Sequence, residues 1–269
     1  MRYRFAALPL LAAILALGFV SQSGLAQGQS EKLPMPPGGF KPPPVAPVKP
    51  YKRIAVTPPA TFADAGFVAF RKQLGDIAQH KDRAGLGKLV VTQGFFWMQE
   101  KDLADKRKSG LDNLAKAIDL DAKDGSGWDV LIGYADEPTA APWPERPGVM
   151  CAPANPEIDP KAFEALLDAT QTGPGEWGYP MKDGLEVRGA AKADAPVVEK
   201  LGLTLVRVIP TPPPSDPNAQ QIFLQVATPS GKTGFVAGEA FAGLGSDEMC
   251  YSKDASGWKI TGYFGGAGE

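Results

Sequence analysis

Beyond Tyr179-Pro180 the chain becomes a series of short runs in which apolar and polar residues alternate, separated by turns rich in Gly and Pro. A period of two places alternate side chains on opposite faces of an extended strand, so such runs must find partners in a sheet. Leu185-Glu186-Val187-Arg188 is the first run, and Leu203 to Ile209 the second, centred on Val206-Arg207-Val208. The third is Ile222-Phe223-Leu224-Gln225-Val226. A turn at Pro229 to Gly234 follows, and Phe235-Val236-Ala237 resumes the strand. Short strands at this spacing predict a small barrel or sandwich. Glu248 to Tyr251 and Gly257 to Phe264 flank a turn at Asp254 and predict a hairpin appended to it.

The opposite end carries a leader pattern. Arg2 and Arg4 precede an apolar run, Phe5 to Val20, and Ser23-Gly24-Leu25-Ala26 offers small residues where a signal peptidase reads. That order predicts a secretory signal peptide over 1–26, cleaved after Ala26, and a periplasmic or secreted location. A spanning helix needs about 20 apolar residues; this run is shorter and holds Pro9 and Gly18, and no later stretch is long and apolar enough. The net charge is −2, and loss of the two leader arginines makes it −4. A weakly acidic chain has no general attraction for nucleic acid. Two cysteines remain, Cys151 and Cys250. In an oxidising compartment they are expected to pair. A closed loop of this length is credited with up to about 4.7 kcal/mol.

Residues 27–60 read as a linker, with Pro36-Pro37, Pro42-Pro43-Pro44, Pro47, Pro50 and Pro58-Pro59. Proline fixes φ and removes a backbone donor, which favours an extended polyproline spacer. Residues 61–178 read as a mostly helical domain with at least one strand. Thr61 is a candidate cap for a helix whose apolar face is Phe62, Phe67, Phe70, Leu74 and Ile77, and Asp82 for a second helix. Phe95 to Met98 reads as a buried strand. Ser109 to Leu120, Trp128 to Tyr134 and a segment opened by Asp159-Pro160 read as further helices. The helix–helix–strand opening resembles the start of domains related to nuclear transport factor 2, over about 40 residues. That family's curved sheet is not legible between 100 and 170.

Residues 179–269 resemble the bacterial SH3 family. The matching features are Leu185 to Arg188 for its opening strand, Pro196 to Leu201 for its next stretch, and Gly231 to Val236 for its closing hairpin. The resemblance implies a C-terminal SH3-like β-barrel, and with the helical half an α+β protein. It also implies a module that binds a peptide, peptidoglycan or another envelope protein. The family's usual Trp before the penultimate strand is replaced by Ile222-Phe223, after an inserted proline-rich loop at 210–217. In this reading Cys250 staples the tail hairpin to the proline-rich loop that holds Cys151.

Catalytic machinery is sparse. His80 is the only histidine and sits where a helix should end, a position suited to a cap. One His and two dispersed Cys do not make a zinc site. Asp119, Asp121 and Asp124 resemble a fragment of a calcium loop, but Trp128 and Val130 stand where ligands belong. No catalytic residue, metal or cofactor is therefore assigned. Of the five tryptophans, Trp97 and Trp128 lie in apolar stripes. Trp143 and Trp177 lie in Pro/Gly loops and are the candidate ligand contacts. The function expected is a non-enzymatic envelope protein. The alternative is a carboxylate-based cell-wall hydrolase with the barrel as its targeting unit, whose two acids can lie far apart in sequence. Ligand and oligomeric state stay open.

Overall fold

The structure, a computed structural model, describes residues 49–210 and 223–266. The leader, residues 27–48 of the spacer, residues 211–217 of the inserted loop and Ile222 lie outside the described residues.

Local chemistry sets the helices. α1 (Ala65–Gln79) is capped by Asp64, whose carboxylate accepts the Phe67 N–H at 2.7 Å, and it buries Phe67, Phe70, Leu74 and Ala78. It starts four residues after Thr61, because Thr61 bridges to Thr139 and the Phe62 N–H donates to the Pro138 carbonyl. α2 (Arg83–Leu89) is capped by Asp82 through the Gly85 N–H. α3 (Gly110–Ala117) is capped by Ser109, and α4 (Ser126–Asp136) follows Gly125, whose φ of 84° suits a residue without Cβ. α5 (Pro160–Thr170) has Asp159 as cap and Pro160 at its first turn.

Two sheets take up the strands. The first has five, in the order β1 (Phe96–Met98), β12 (Gly257–Phe264), β11 (Glu248–Asp254), β3 (Val149–Ala152) and β2 (Ala141–Pro142). β1 runs parallel to β12, with Phe96 opposite Gly262; the other pairs are antiparallel. Its helix-covered face buries Met249, Tyr251, Ile260 and Tyr263 against Phe67, Leu74, Leu114 and Leu131. A smaller cluster of Phe96, Val149, Cys151 and Cys250 joins Trp143 and Phe264. Cys250 and Cys151 face one another across β11 and β3, 4.0 Å apart at Cα, and are joined as a disulfide.

The second sheet has seven strands, in the order β10 (Phe241–Gly243), β4 (Trp177–Pro180), β7 (Val206–Val208), β8 (Phe223–Ala227), β9 (Thr233–Ala237), β5 (Leu185–Arg188) and β6 (Val197–Leu201). It is not closed. The SH3-like barrel expected from the alternation is therefore corrected to an open sheet with β10 and β6 at its edges. Tyr179-Pro180, read as the boundary before a barrel, and Trp177, read as part of a Pro/Gly loop, belong to one buried strand that takes β10 along its side. β6 keeps an outer edge where Val197 and Val198 are 42% and 37% exposed. Alternation decides which face each strand buries; closure depends on tilt and stagger, which alternation does not encode.

Two further corrections concern the fold class. The tail hairpin is not an appendage of the second sheet: β11 and β12 lie at the middle of the first. The region before residue 179 is not merely helical, since it supplies β1, β2 and β3 to that sheet. The end of the proline-rich spacer also joins the fold. Ile54 and Val56 are 4% exposed and share a cluster with Leu166, Trp177, Tyr179 and Leu205. Ala55 bridges to Thr204, and Thr57 to Glu157.

Candidate functional site

The roomiest hollow among the described cavities, about 650 Å³, lies between α5 and residues 49–52. That volume falls within the range of small-ligand pockets. α5 supplies its apolar floor through Ala162, Ala165, Leu166 and Ala169. These residues recur three and four apart, which puts them on one helical face. Pro50 and Tyr51 line the hollow opposite, with Lys49, Lys52 and Arg207 as its cations.

Tyr51 anchors the strap. Its hydroxyl donates to the Ala227 carbonyl at 2.8 Å and accepts the Arg207 backbone N–H at 3.3 Å. Its ring meets Trp177 edge-on, with centroids 5.0 Å apart. Burial pushes the Tyr51 hydroxyl well above the usual phenol range, against the opposing Arg207 backbone hydrogen bond. The group is thus a fixed neutral anchor rather than a proton donor to chemistry.

Arg207 projects from β7. Its Nη2 meets Glu176 Oε2 at 3.0 Å, while its buried Nε has no hydrogen-bond partner among the described residues. Glu176 sits below the ordinary carboxylate range, first because the Gly173 N–H donates to it and then because of Arg207. It therefore stays ionised and holds one side of the guanidinium. Beyond Lys52 a second hollow of about 460 Å³ adds Arg53, but also Glu157 and Asp159, so positive charge prevails only around Arg207.

The two tryptophans singled out from sequence part company. Trp177 is fully buried, with its indole N–H donating to Thr172 Oγ1 at 2.8 Å. It supports the cleft from beneath. Trp143 is half-buried and lines a groove of about 410 Å³ together with Pro142, Pro144, Phe264 and Glu248. Its ring lies 5.0 Å from those of Phe96 and Phe264, and the Arg146 guanidinium stacks 4.4 Å from the Phe96 centroid. Burial raises the Glu248 carboxyl, opposed by a hydrogen bond from Asn155.

The other sequence candidates are dispersed. His80 is exposed at the end of α1, its Nδ1 2.7 Å from the Asp76 carbonyl. Asp121 pairs with Arg83 and Asp124 accepts the Ser126 N–H. Among the described residues no cluster of three or more His, Cys, Asp or Glu side chains is placed to hold a metal ion, and no helix is long and apolar enough to cross a membrane.

Sequence reasoning did not single out Tyr51, Lys52 or Arg207. Arg207 reads only as the polar member of an alternating strand, and Tyr51-Lys52 as the end of a proline tract. The available signal was the Tyr51 to Val56 run, where apolar Ile54 and Val56 alternate with polar or small neighbours. No family model matches the chain, and neither a curated protein nor a solved structure is significantly similar to it.

Proposed function

We propose that this is an exported, non-enzymatic protein of the bacterial cell envelope that binds a peptide, peptidoglycan or protein partner. The observation that carries the reading is the cleft beside α5, with its apolar floor and three cations. Its lining is built for contact: the floor offers burial, and the rim offers charge. The Cys151–Cys250 disulfide supports an oxidising location, as does the leader pattern at the N-terminus.

Fractionation of producing cells checks the location. The expected product is a chain lacking residues 1–26 outside the cytoplasm; a leader-bearing cytoplasmic chain overturns that part. Ala165→Trp fills the cleft floor. It should abolish whatever retention the parent chain shows on insoluble peptidoglycan or on immobilised envelope peptides. Equal retention would move the binding surface elsewhere. A lytic band in zymography against purified cell wall would overturn the non-enzymatic reading.

A further inference from the structure

We infer that the α5 cleft selects acidic amphipathic peptide segments, in which carboxylates alternate with apolar side chains. The inference rests on the binding role proposed for this cleft and narrows it to one ligand chemistry.

Charge carries the argument. The ionisable residues lining the cleft are Lys49, Lys52 and Arg207, and the ion pair among them is Arg207 with Glu176. Three cations against one carboxylate leave a surplus of two positive charges, in a chain whose net charge is −2. A local field opposed in sign to the whole molecule marks a place where an anion gains on arrival. The neighbouring hollow offsets its cations with Glu157 and Asp159, and the Trp143 groove carries Glu248. Neither has this imbalance.

Arg207 supplies an independent observation. Its guanidinium presents donors in a planar fork suited to carboxylates. Glu176 meets Nη2, and the Arg207 side chain is 29% exposed where it lines the cleft, so it stays within reach of a ligand's carboxylate. The floor then fixes the second half of the ligand. Ala162, Ala165, Leu166 and Ala169 offer no polar side-chain atom, so they favour apolar groups facing α5. An extended peptide alternates its side chains, which directs one set to this floor and the other to the rim.

The test is fluorescence anisotropy on the mature chain with labelled acetyl-Leu-Glu-Ala-Glu-Leu-amide. The Gln-for-Glu version, a Gly-for-Leu/Ala version and a short oligothymidine serve as comparisons. The acidic peptide should bind best, and about 500 mM salt should weaken it severalfold. The Lys49→Glu/Lys52→Glu variant should lose roughly tenfold in affinity. Both lysines are exposed, so its circular dichroism and thermal unfolding should match the parent. Equal binding of the Gln peptide overturns the inference and leaves the cleft as a binding site. Undiminished affinity in the lysine variant overturns it as well, as does tighter binding of the oligothymidine. No binding of any probe overturns the inference, and the cleft's binding role then stands or falls on the Ala165→Trp retention test.

Discussion

The two sheets are assembled in opposite ways. The seven-stranded sheet draws all its strands from one stretch, Trp177 to Gly243, so its ladders close over modest loops. The five-stranded sheet joins Phe96–Met98 and Ala141–Ala152 to a hairpin at Glu248–Phe264. Its edge pair sets Phe96 against Gly262, and a disulfide across 99 residues holds β3 to β11. Bringing distant segments together costs entropy that grows with loop length, and a cross-link removes part of that cost from the unfolded chain. The covalent staple thus sits in the less local of the two sheets, on its β3–β11 pair, while the still longer-range β1–β12 pair is held by hydrogen bonds and packing.

Removing the staple should separate the two sheets most strongly. Cys151→Ala/Cys250→Ala should lower unfolding free energy by up to about 4.7 kcal/mol in urea titration. Amides of β3 and β11 should lose hydrogen-exchange protection before those of β8 and β9. Simultaneous loss in both sheets would show that they unfold as one unit.

Gly262→Ala and Gly178→Ala compare the sheets at matched positions. A Cβ on Gly262 would strike the Phe96 ring, and one on Gly178 would meet Phe241 and the Ala242 carbonyl. Each should cost about 1–3 kcal/mol by overpacking. A larger loss at Gly262 in the disulfide-free background than in the parent would show the staple absorbing strain in its own sheet.

Glu248 gives a smaller, pH-dependent effect. Burial raises its folded-state value above the ordinary 4.5, so folding favours the protonated form. That contribution is fully present at pH below 4.5 and is lost as pH rises through the raised value. Glu248→Gln should therefore stabilise the protein at pH 7 by less than about 1 kcal/mol, given its partial exposure. The gain should vanish near pH 4 in paired thermal melts.

The smallest change is expected at Arg83–Asp121, a 2.7 Å pair whose side chains are 42% and 75% exposed. Asp121→Asn should shift stability by no more than about 0.5 kcal/mol. Its solvent exposure makes it the baseline for the other three.

Legibility follows the same division as the sheets. Asp82 and Asp159 are readable as caps because a cap bonds an N–H two or three residues away. Phe96 to Met98 was readable as a strand, but not its parallel partner in β12. The cleft escaped notice for the same reason. Lys49, Ala165 and Arg207 are separated by more than 150 residues from first to last, and each looks ordinary in its own surroundings. Trp177 drew attention as a large residue beside glycines, yet its place is beneath the cleft rather than in it.

The helix starts at Asp82, Ser109 and Asp159, the alternating strands after residue 184, and the identity of the cysteine pair, since only two cysteines exist, follow from the residue order alone. Those features depend on interactions within a few residues, or on a choice with one outcome. That the tail hairpin centres the first sheet, that the second sheet stays open, and that Arg207 meets Tyr51 beside α5 emerge from the folded chain as a whole. Strand partnership and register are settled by burial summed over the whole chain, and no short window of residues carries that sum.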